Sequence, residues 1–284
     1  MSALISARGL RKQYGKHIAL DGVSFEIPPG RIVGLIGRNG AGKTTTLKAI
    51  LGLTPFDGEL QVLGVNPSRQ RDALMRDVSF IADTAVLPKW LRVRNALDYV
   101  EGVHPAFERA RAEEFLRGTE LRLDSRVRHL SKGMVTQLQL ALVLAIKAKL
   151  LVLDEPTLGL DLLYRRKFYD TLLNDYMDNQ RTILVTTHQV EEIENLLTDV
   201  MFIEHGKLLL DSPVDELGER YQQLIANADA TQAARALQPF HERSVFGRTV
   251  FFYEGADAAQ LATLGEVRTP GIADLFVARM QGIA

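Results

Sequence analysis

The sequence contains no cysteine, only one tryptophan, no surplus of basic over acidic side chains and no apolar run long enough to span a bilayer. Without cysteine there are no disulfides, thiolate metal sites or cysteine nucleophiles, and a reducing compartment is compatible. Lys and Arg number 34 against 35 Asp and Glu, a net charge of -1. The total therefore lacks the basic excess that usually accompanies binding to nucleic-acid phosphates, and no nucleic-acid partner is expected. The longest apolar stretch, Leu140 to Ile146, meets Lys147 and Lys149 before Leu150 to Leu153. That falls far short of the ~18 to 20 residues a spanning helix needs. Arg8 stands too early for the apolar core of a secretory signal, so neither an export signal nor a membrane span is expected.

What is present is an ordinary globular composition, 46% hydrophobic and 24% charged over 284 residues. At roughly 150 residues per domain this length suits two units, or one large unit with an appendage. Ile18 to Ile27, the Pro28-Pro29-Gly30 turn and Ile32 to Ile36 read as strands broken by a turn. Helical spacing of Leu47, Ile50 and Leu51 follows a glycine-rich loop and ends at Gly52 and Pro55. Gly58 to Gly64 and Val78 to Ile81 read as further strands, Val93 to Leu123 as two helices broken at His104-Pro105, and Met134 to Ala148 as a buried helix. Leu150 to Leu153 and Thr182 to Thr186 are buried strands, because they are apolar without alternation. Tyr164 to Met177 and Val190 to Leu197 are expected as helices, and Val200 to Ile203 with Lys207 to Leu210 as a hairpin turning at His205-Gly206. Strands alternating with helices imply a largely parallel sheet. From about Glu219 the texture becomes rich in Ala and Gln; Ser244 to Tyr253 reads as one strand, Ala256 to Leu264 as a helix, Glu266 to Arg268 as a short strand and Ile272 to Met280 as a last helix.

Gly37-Arg38-Asn39-Gly40-Ala41-Gly42-Lys43-Thr44, followed by Thr45, fits a glycine, four residues, then Gly-Lys-Ser/Thr. Glycines let backbone N–H groups converge on phosphate oxygens, and the following helix turns the positive end of its dipole toward them. Lys43 is placed to reach the β- and γ-phosphates and Thr44 to bind Mg²⁺ through its hydroxyl. The apolar run at Leu150 ends in Asp154-Glu155, at a sheet edge where such folds bind ligands. Asp154 is the candidate for Mg²⁺ and Glu155 for general base toward the attacking water; standing alone, the pair would be an ordinary solvated strand end.

With these residues the chain resembles the nucleotide-binding subunit of an ATP-binding cassette transporter, over about residues 3 to 215. Four further segments fall in that family's order. Tyr14 stands where the family places an aromatic that stacks on adenine, although a plain strand-edge tyrosine fits as well. Leu130-Ser131-Lys132-Gly133-Met134 occupies the place of the signature segment, Gly159-Leu160-Asp161 that of the loop communicating between paired subunits, and His188 that of the histidine contacting the γ-phosphate. Ser131 and Gly133 open a helix and can present N–H groups to an anion; Ser131 is equally a helix cap. The resemblance implies a head-to-tail dimer in which Ser131 and Gly133 cover the partner's ATP. It implies a phosphate-loop fold: a mostly parallel sheet with an antiparallel β subdomain, a helical insert at about 84–148 within an ATPase unit of 1–217, and a small α/β extension at 218–284. ATP and Mg²⁺ are the cofactors it implies, with a separate integral-membrane permease as partner and the cytoplasmic face of the membrane as location.

Two departures from the family's pattern stand out. Asp83 occupies the place of a glutamine that touches Mg²⁺ and water, so it is a stronger metal ligand beside Asp154 and Glu155, a like charge that raises the pKa of one of them and slows hydrolysis, or simply the start of a solvent-facing loop. Lys132 and Met134 replace a glycine-type residue and a glutamine of the signature. That form, and the tail Thr269 to Phe276, are similar to the ABC-2-type exporters, whose membrane subunits are separate chains; a simple packing helix explains the tail equally well. Pro88, Trp90 and Leu91 are the candidates for contact with a permease, unless Trp90 packs inside the helical insert. A soluble cassette acting on ribosomes or DNA would show two cassettes with a charged linker or a long coiled-coil insertion, and the sequence has neither. An inactive regulatory cassette sits poorly with Lys43, Asp154, Glu155 and His188 all in place.

Overall fold

Strands β1 (Ile5–Tyr14) and β2 (His17–Ile27) pair antiparallel, and β2 ends where Pro28 and Pro29 remove two N–H donors from the ladder. The next strand, β3 (Ile32–Ile36), is buried at all five positions. In chain order there follow α1 (Lys43–Ile50), β4 (Asp57–Val62), α2 (Arg71–Leu74) and β5 (Val78–Ile81). The insert contributes α3 (Val93–Val103), α4 (Arg109–Arg117) and α5 (Lys132–Leu144). Then come β6 (Leu150–Asp154), α6 (Leu162–Thr171), β7 (Thr182–Thr187), β8 (Asp199–Glu204) and β9 (Lys207–Pro213). The computed structural model describes residues 3–82, 87–158, 160–173 and 181–281.

Among the described residues the central sheet has six strands in the order β5-β6-β7-β3-β8-β9, parallel except for the β8–β9 hairpin. A second sheet, β2-β1-β4, is antiparallel throughout. Leu47 and Ile50 of α1 pack with Leu10, Leu20 and Leu60 of that antiparallel sheet and with Val33 and Leu150 of the central one, so α1 is held between the two. The opposite face of the central sheet carries Ile183, Val185 and Phe202 against Leu140, Phe168 and Leu275. The insert has a core of its own, with Val93, Leu97, Leu116, Leu138 and Leu142 buried together. The expected mostly parallel sheet, antiparallel subdomain and helical insert are all present.

The carboxy-terminal part begins with α7 (Leu217–Arg220) and β10 (Tyr221–Ala226), then α8 (Thr231–Ala236), β11 (His241–Val245), β12 (Arg248–Glu254), α9 (Ala258–Ala262), β13 (Gly265–Arg268) and α10 (Ile272–Gln281). Its four strands form an antiparallel sheet in the order β11-β12-β10-β13. Two expectations are corrected here. The segment read as one strand from Ser244 to Tyr253 is a hairpin, β11–β12, turning at Phe246-Gly247 with φ of 48° and 78°. Positive φ at both central residues is the turn usually written Asn-Gly, and a phenylalanine hides it. Strand β10 is hidden in the sequence, because Gln222 and Gln223, both 9% exposed, break its apolar run.

A third correction concerns Val190 to Leu197, which forms two 3₁₀ turns, Val190–Glu192 and Glu194–Leu196, instead of one α-helix. Ile193 between them has φ -125° and ψ -8°, outside helical values. Glu192 accepts a hydrogen bond from Thr157 Oγ1 at 3.2 Å, and Glu194 accepts one from the Ala273 backbone N–H at 3.4 Å, so the side chains are drawn to different neighbours.

Helix α10 joins the two sheets. Phe276 stacks edge-on against Phe202 of β8 with ring centroids 5.2 Å apart, while Ala278 is buried with Val250 and Phe252 of β12. Arg279 donates to the Tyr221 hydroxyl at 2.9 Å, pairs with Glu254 and lies 4.5 Å from the Phe240 ring centroid. Phe202→Ala removes a side chain with no exposed area from the middle of this packing. It is expected to lower unfolding stability by about 3–5 kcal/mol, read as a lower urea midpoint with an unchanged slope.

Candidate functional site

The loop between β3 and α1 takes its shape from its glycines, two of which leave no room for a side chain. At Gly37 an added Cβ would lie 2.4 Å from the Ile203 carbonyl oxygen, and at Gly42, with φ 116°, it would lie 2.7 Å from the Ala19 carbonyl oxygen. Gly40, with φ 83°, faces open space, with nothing within 4 Å of a Cβ. Gly42 is the N-cap of α1 and has no side chain to cap the helix, so its first N–H groups are offered to a ligand. Ala41 closes the loop: its N–H donates to the Arg38 carbonyl at 3.1 Å, and its carbonyl accepts from the Gly206 N–H at 2.9 Å. A cavity of about 280 Å³ lies over the loop, lined by Tyr14, Arg38, Asn39, Gly40, Gly42, Lys43, Thr44, Thr45 and Glu155, and also by His17 and Ala19.

Lys43 is 6% exposed, and its ammonium donates to the Gly37 carbonyl at 2.7 Å and lies 3.4 Å from the Arg38 carbonyl and from Glu155 Oε1. A buried charge needs such acceptors, and they hold the ammonium at the floor of the cavity. The neighbouring Thr44 hydroxyl donates to Asp154 Oδ1 at 3.4 Å. Asp154 is 2% exposed, and the same oxygen accepts from Thr186 Oγ1 at 2.6 Å. Parallel pairing of β6 with β7 sets this contact, since Asp154 and Thr186 are register partners.

Glu155 follows immediately with φ 49°, a left-handed conformation that costs a non-glycine residue about 1–3 kcal/mol. Its N–H donates to the Thr186 carbonyl and Oγ1, both at 3.2 Å, which fixes the turn. The carboxylate is thereby aimed so that Oε1 faces Lys43 at 3.4 Å and Oε2 meets His188 Nδ1 at 2.9 Å. The two residues expected to handle the reacting water and γ-phosphate are therefore in direct contact, although 33 positions separate them in sequence.

Tyr14 lies at the rim, 45% exposed, with its hydroxyl 3.2 Å from Thr54 Oγ1 and the Lys12 ammonium 4.9 Å from its ring centroid. Ser131 caps α5, its Oγ accepting from the Met134 N–H at 3.2 Å; neither Ser131 nor Gly133 lines the cavity. Asp83 and Gly159 lie outside the described residues. Sequence reasoning missed His17 and Thr186. For Thr186, the only signal is a threonine at the end of a buried strand, and its meaning depends on pairing with β6.

A glycine loop, a buried lysine and an acidic strand end meeting at one cavity define a phosphate-loop nucleotide-binding protein. The ABC transporter family profile matches residues 20–158. The Nod factor export ATP-binding protein I of Cupriavidus metallidurans is 35% identical over 283 residues, covering 93% of this chain and 90% of that protein. A daunorubicin resistance ATP-binding protein of Streptomyces coeruleorubidus is 32% identical, covering 83% of this chain and 78% of that protein. Among solved structures, the ATP-binding subunit of an ABC transporter superposes with a TM-score of 0.69 at 28% identity, over 75% of this chain and 91% of that one. The chain belongs to the ABC transporter family and is an ATP-binding, ATP-hydrolysing subunit.

The loop geometry separates two glycine substitutions. Gly42→Ala meets backbone at 2.7 Å as well as an unfavourable φ, whereas Gly40→Ala meets only the unfavourable φ. Gly42→Ala is expected to lower the melting temperature clearly more than Gly40→Ala and to abolish measurable ATP binding, checked by thermal unfolding and calorimetry side by side.

Proposed function

We propose that this chain binds ATP with Mg²⁺ at the cavity over Gly37 to Thr45, hydrolyses it with Glu155 as general base, and drives export through a separate membrane permease. The observation that carries the reading is the carboxylate of Glu155, which spans the Lys43 ammonium and the His188 ring. Lys43 and the N–H groups at the start of α1 would hold the β- and γ-phosphates. In hydrolysis the water oxygen bonds to the γ-phosphorus, Glu155 takes the proton released, and the bond to the β-phosphate oxygen breaks to give ADP and phosphate. His188, oriented through its Nδ1 contact with Glu155, would face the γ-phosphate.

Mg²⁺, when bound, would neutralise charge on the β- and γ-phosphates. Thr44 and Asp154 present oxygen atoms suited to such a hard cation, 3.4 Å apart and backed by Thr186. Asp83 joins this set by sequence position alone. Tyr14 would meet the adenine at the cavity rim.

A second cassette completes the reading. Ser131 and Gly133 would cover the partner's ATP, and the helix after Asp161 supports a contact there: Leu162 and Leu163 are 81% and 76% exposed at its start. Apolar side chains that bare are better matched to a covered surface than to water. The unit of 1–217, with its insert at 84–148, would carry this chemistry, and 218–284 would be an appended extension. The relatives named for Nod factor export and daunorubicin resistance support export as the direction of transport.

No helix among the described residues is long and apolar enough to cross a membrane. Attachment at the cytoplasmic face would then run through the permease. Trp90 is 73% exposed, so it is not packed inside the insert, while Leu91 packs against the insert core. Its backbone is fixed, with the Leu91 carbonyl accepting from the Val127 N–H at 2.9 Å and the Lys89 carbonyl from the Arg128 N–H at 3.0 Å. An exposed tryptophan on a held backbone suits an interface anchor.

Glu155→Gln keeps the shape while removing the base. It is expected to bind ATP as the parent does and to turn over roughly 10²-fold more slowly, with wild-type turnover removing Glu155 from the role. Trp90→Ala is expected to leave unfolding stability within about 0.5 kcal/mol and ATP binding unchanged while releasing the chain from membranes. Membrane fractionation with a parallel melting curve checks this.

A further inference from the structure

We propose that Arg165 is a positioning residue for ATP hydrolysis, fastening the segment that carries His188 to the loop that ends at Leu160 and Asp161. The inference rests on the reading that Glu155 and His188 act on the γ-phosphate. Arg165 sits one turn into α6. Its Nε donates to the Leu160 carbonyl at 2.9 Å, its Nη1 donates to Gln189 Oε1 at 3.2 Å, and the same Nη1 pairs with Glu192. Gln189 directly follows His188, and Glu192 lies in the 3₁₀ turn just beyond it. One guanidinium therefore joins two segments that no continuous helix or strand connects.

A second tie runs parallel to the first. Thr157, two residues past Glu155 and 5% exposed, donates its hydroxyl to Glu192 Oε2 at 3.2 Å. The Tyr169 hydroxyl stands 3.4 Å from the same Thr157 oxygen. Burial pushes Tyr169 up to about 12, so that hydroxyl keeps its proton and remains a donor. Glu192 is thus gripped from α6 and from the strand end that carries Glu155, with Arg165 and Glu192 side chains only 24% and 20% exposed.

Short 3₁₀ turns have poor hydrogen-bond geometry and little stability of their own, so side-chain ties decide where this segment sits. A planar guanidinium fixes both distance and angle between its acceptors, which a flexible ammonium cannot do. Loss of the tie should let the His188 ring drift from Glu155 without disturbing the phosphate loop. A misplacement of about 1 Å near reacting groups can cost up to about 10²-fold in rate. The expected signature is therefore a fall in turnover with nucleotide binding intact.

The test uses the full chain and three variants, Arg165→Met, Arg165→Lys and Glu192→Gln. Kd for ATP is measured in EDTA, then kcat and KM with Mg²⁺, together with melting temperature. Arg165→Met is expected to hold Kd and KM within about 2-fold while kcat drops about 10-fold or more. Arg165→Lys should recover part of kcat, and the double variant Arg165→Met with Glu192→Gln should be no slower than Arg165→Met alone, as expected for two ends of one tie. Unchanged kcat in Arg165→Met overturns the proposal, and so does a parallel loss of Kd, kcat and melting temperature, which marks a merely structural arginine. If Arg165→Met fails to fold, Glu192→Gln, which keeps the carboxylate's shape, carries the same test: unchanged kcat overturns the proposal. Glu155→Gln run alongside separates the two ideas. Normal turnover there removes the reading of the site, whereas loss there with a normal Arg165→Met removes only the role of Arg165.

Discussion

A lysine ammonium buried at 6% exposure must find acceptors, and the way Lys43 finds them organises this molecule. Two of its acceptors are carbonyls of its own loop, at Gly37 and Arg38, which requires the loop to curl back over the start of α1. That curl needs Gly42 at φ 116° and a Gly37 pressed against Ile203 of the neighbouring strand β8. The third is the carboxylate of Glu155, delivered from β6 across the sheet. The loop, the strand order and the acidic strand end are therefore conditions of one interaction.

The strand order β6-β7-β3 explains how residues far apart in sequence come within hydrogen-bond range. All three strands are buried throughout and parallel, so their carboxyl ends lie along one edge. Thr186 at the end of β7 then serves Asp154 through its hydroxyl and Glu155 through both its hydroxyl and its carbonyl. His188, two residues further on, reaches the Glu155 carboxylate from the same edge. On the other side, α10 locks the carboxy-terminal sheet to β8 through Phe276 and Phe202, and Glu194 accepts from the start of α10. The segment after His188 thus touches both the sheet edge that carries Glu155 and the helix packed on the carboxy-terminal sheet.

Much of this is legible in the sequence alone, for identifiable reasons. Leu150 to Leu153 and Ile32 to Ile36 are short β-type apolar runs without alternation, the pattern of a doubly covered strand, and the loop from Gly37 to Thr44 has spacing with a mechanical meaning. What failed was local signal of the wrong chemistry. Phe246 occupies a left-handed turn position that asparagine or glycine usually marks, and Gln222 with Gln223 disguise a central strand. Val190 to Leu197 carries helical spacing, but Glu192 and Glu194 are claimed by Thr157, Arg165 and the α10 backbone, and the helix breaks at Ile193. Thr186, His17 and Arg165 gain their significance only from sheet register and packing, which one-dimensional spacing does not carry.

The central claim is that the Lys43 ammonium, held at the floor of the cavity, is what receives the phosphates of ATP. Calorimetric titration of ATP into Lys43→Ala, with a melting curve confirming that the chain stays folded, tests it most directly. The account predicts a folded protein whose affinity for ATP has fallen by at least about 100-fold, the loss expected when a charge-assisted phosphate contact is removed. A folded variant that still binds ATP with the parent's affinity would contradict it.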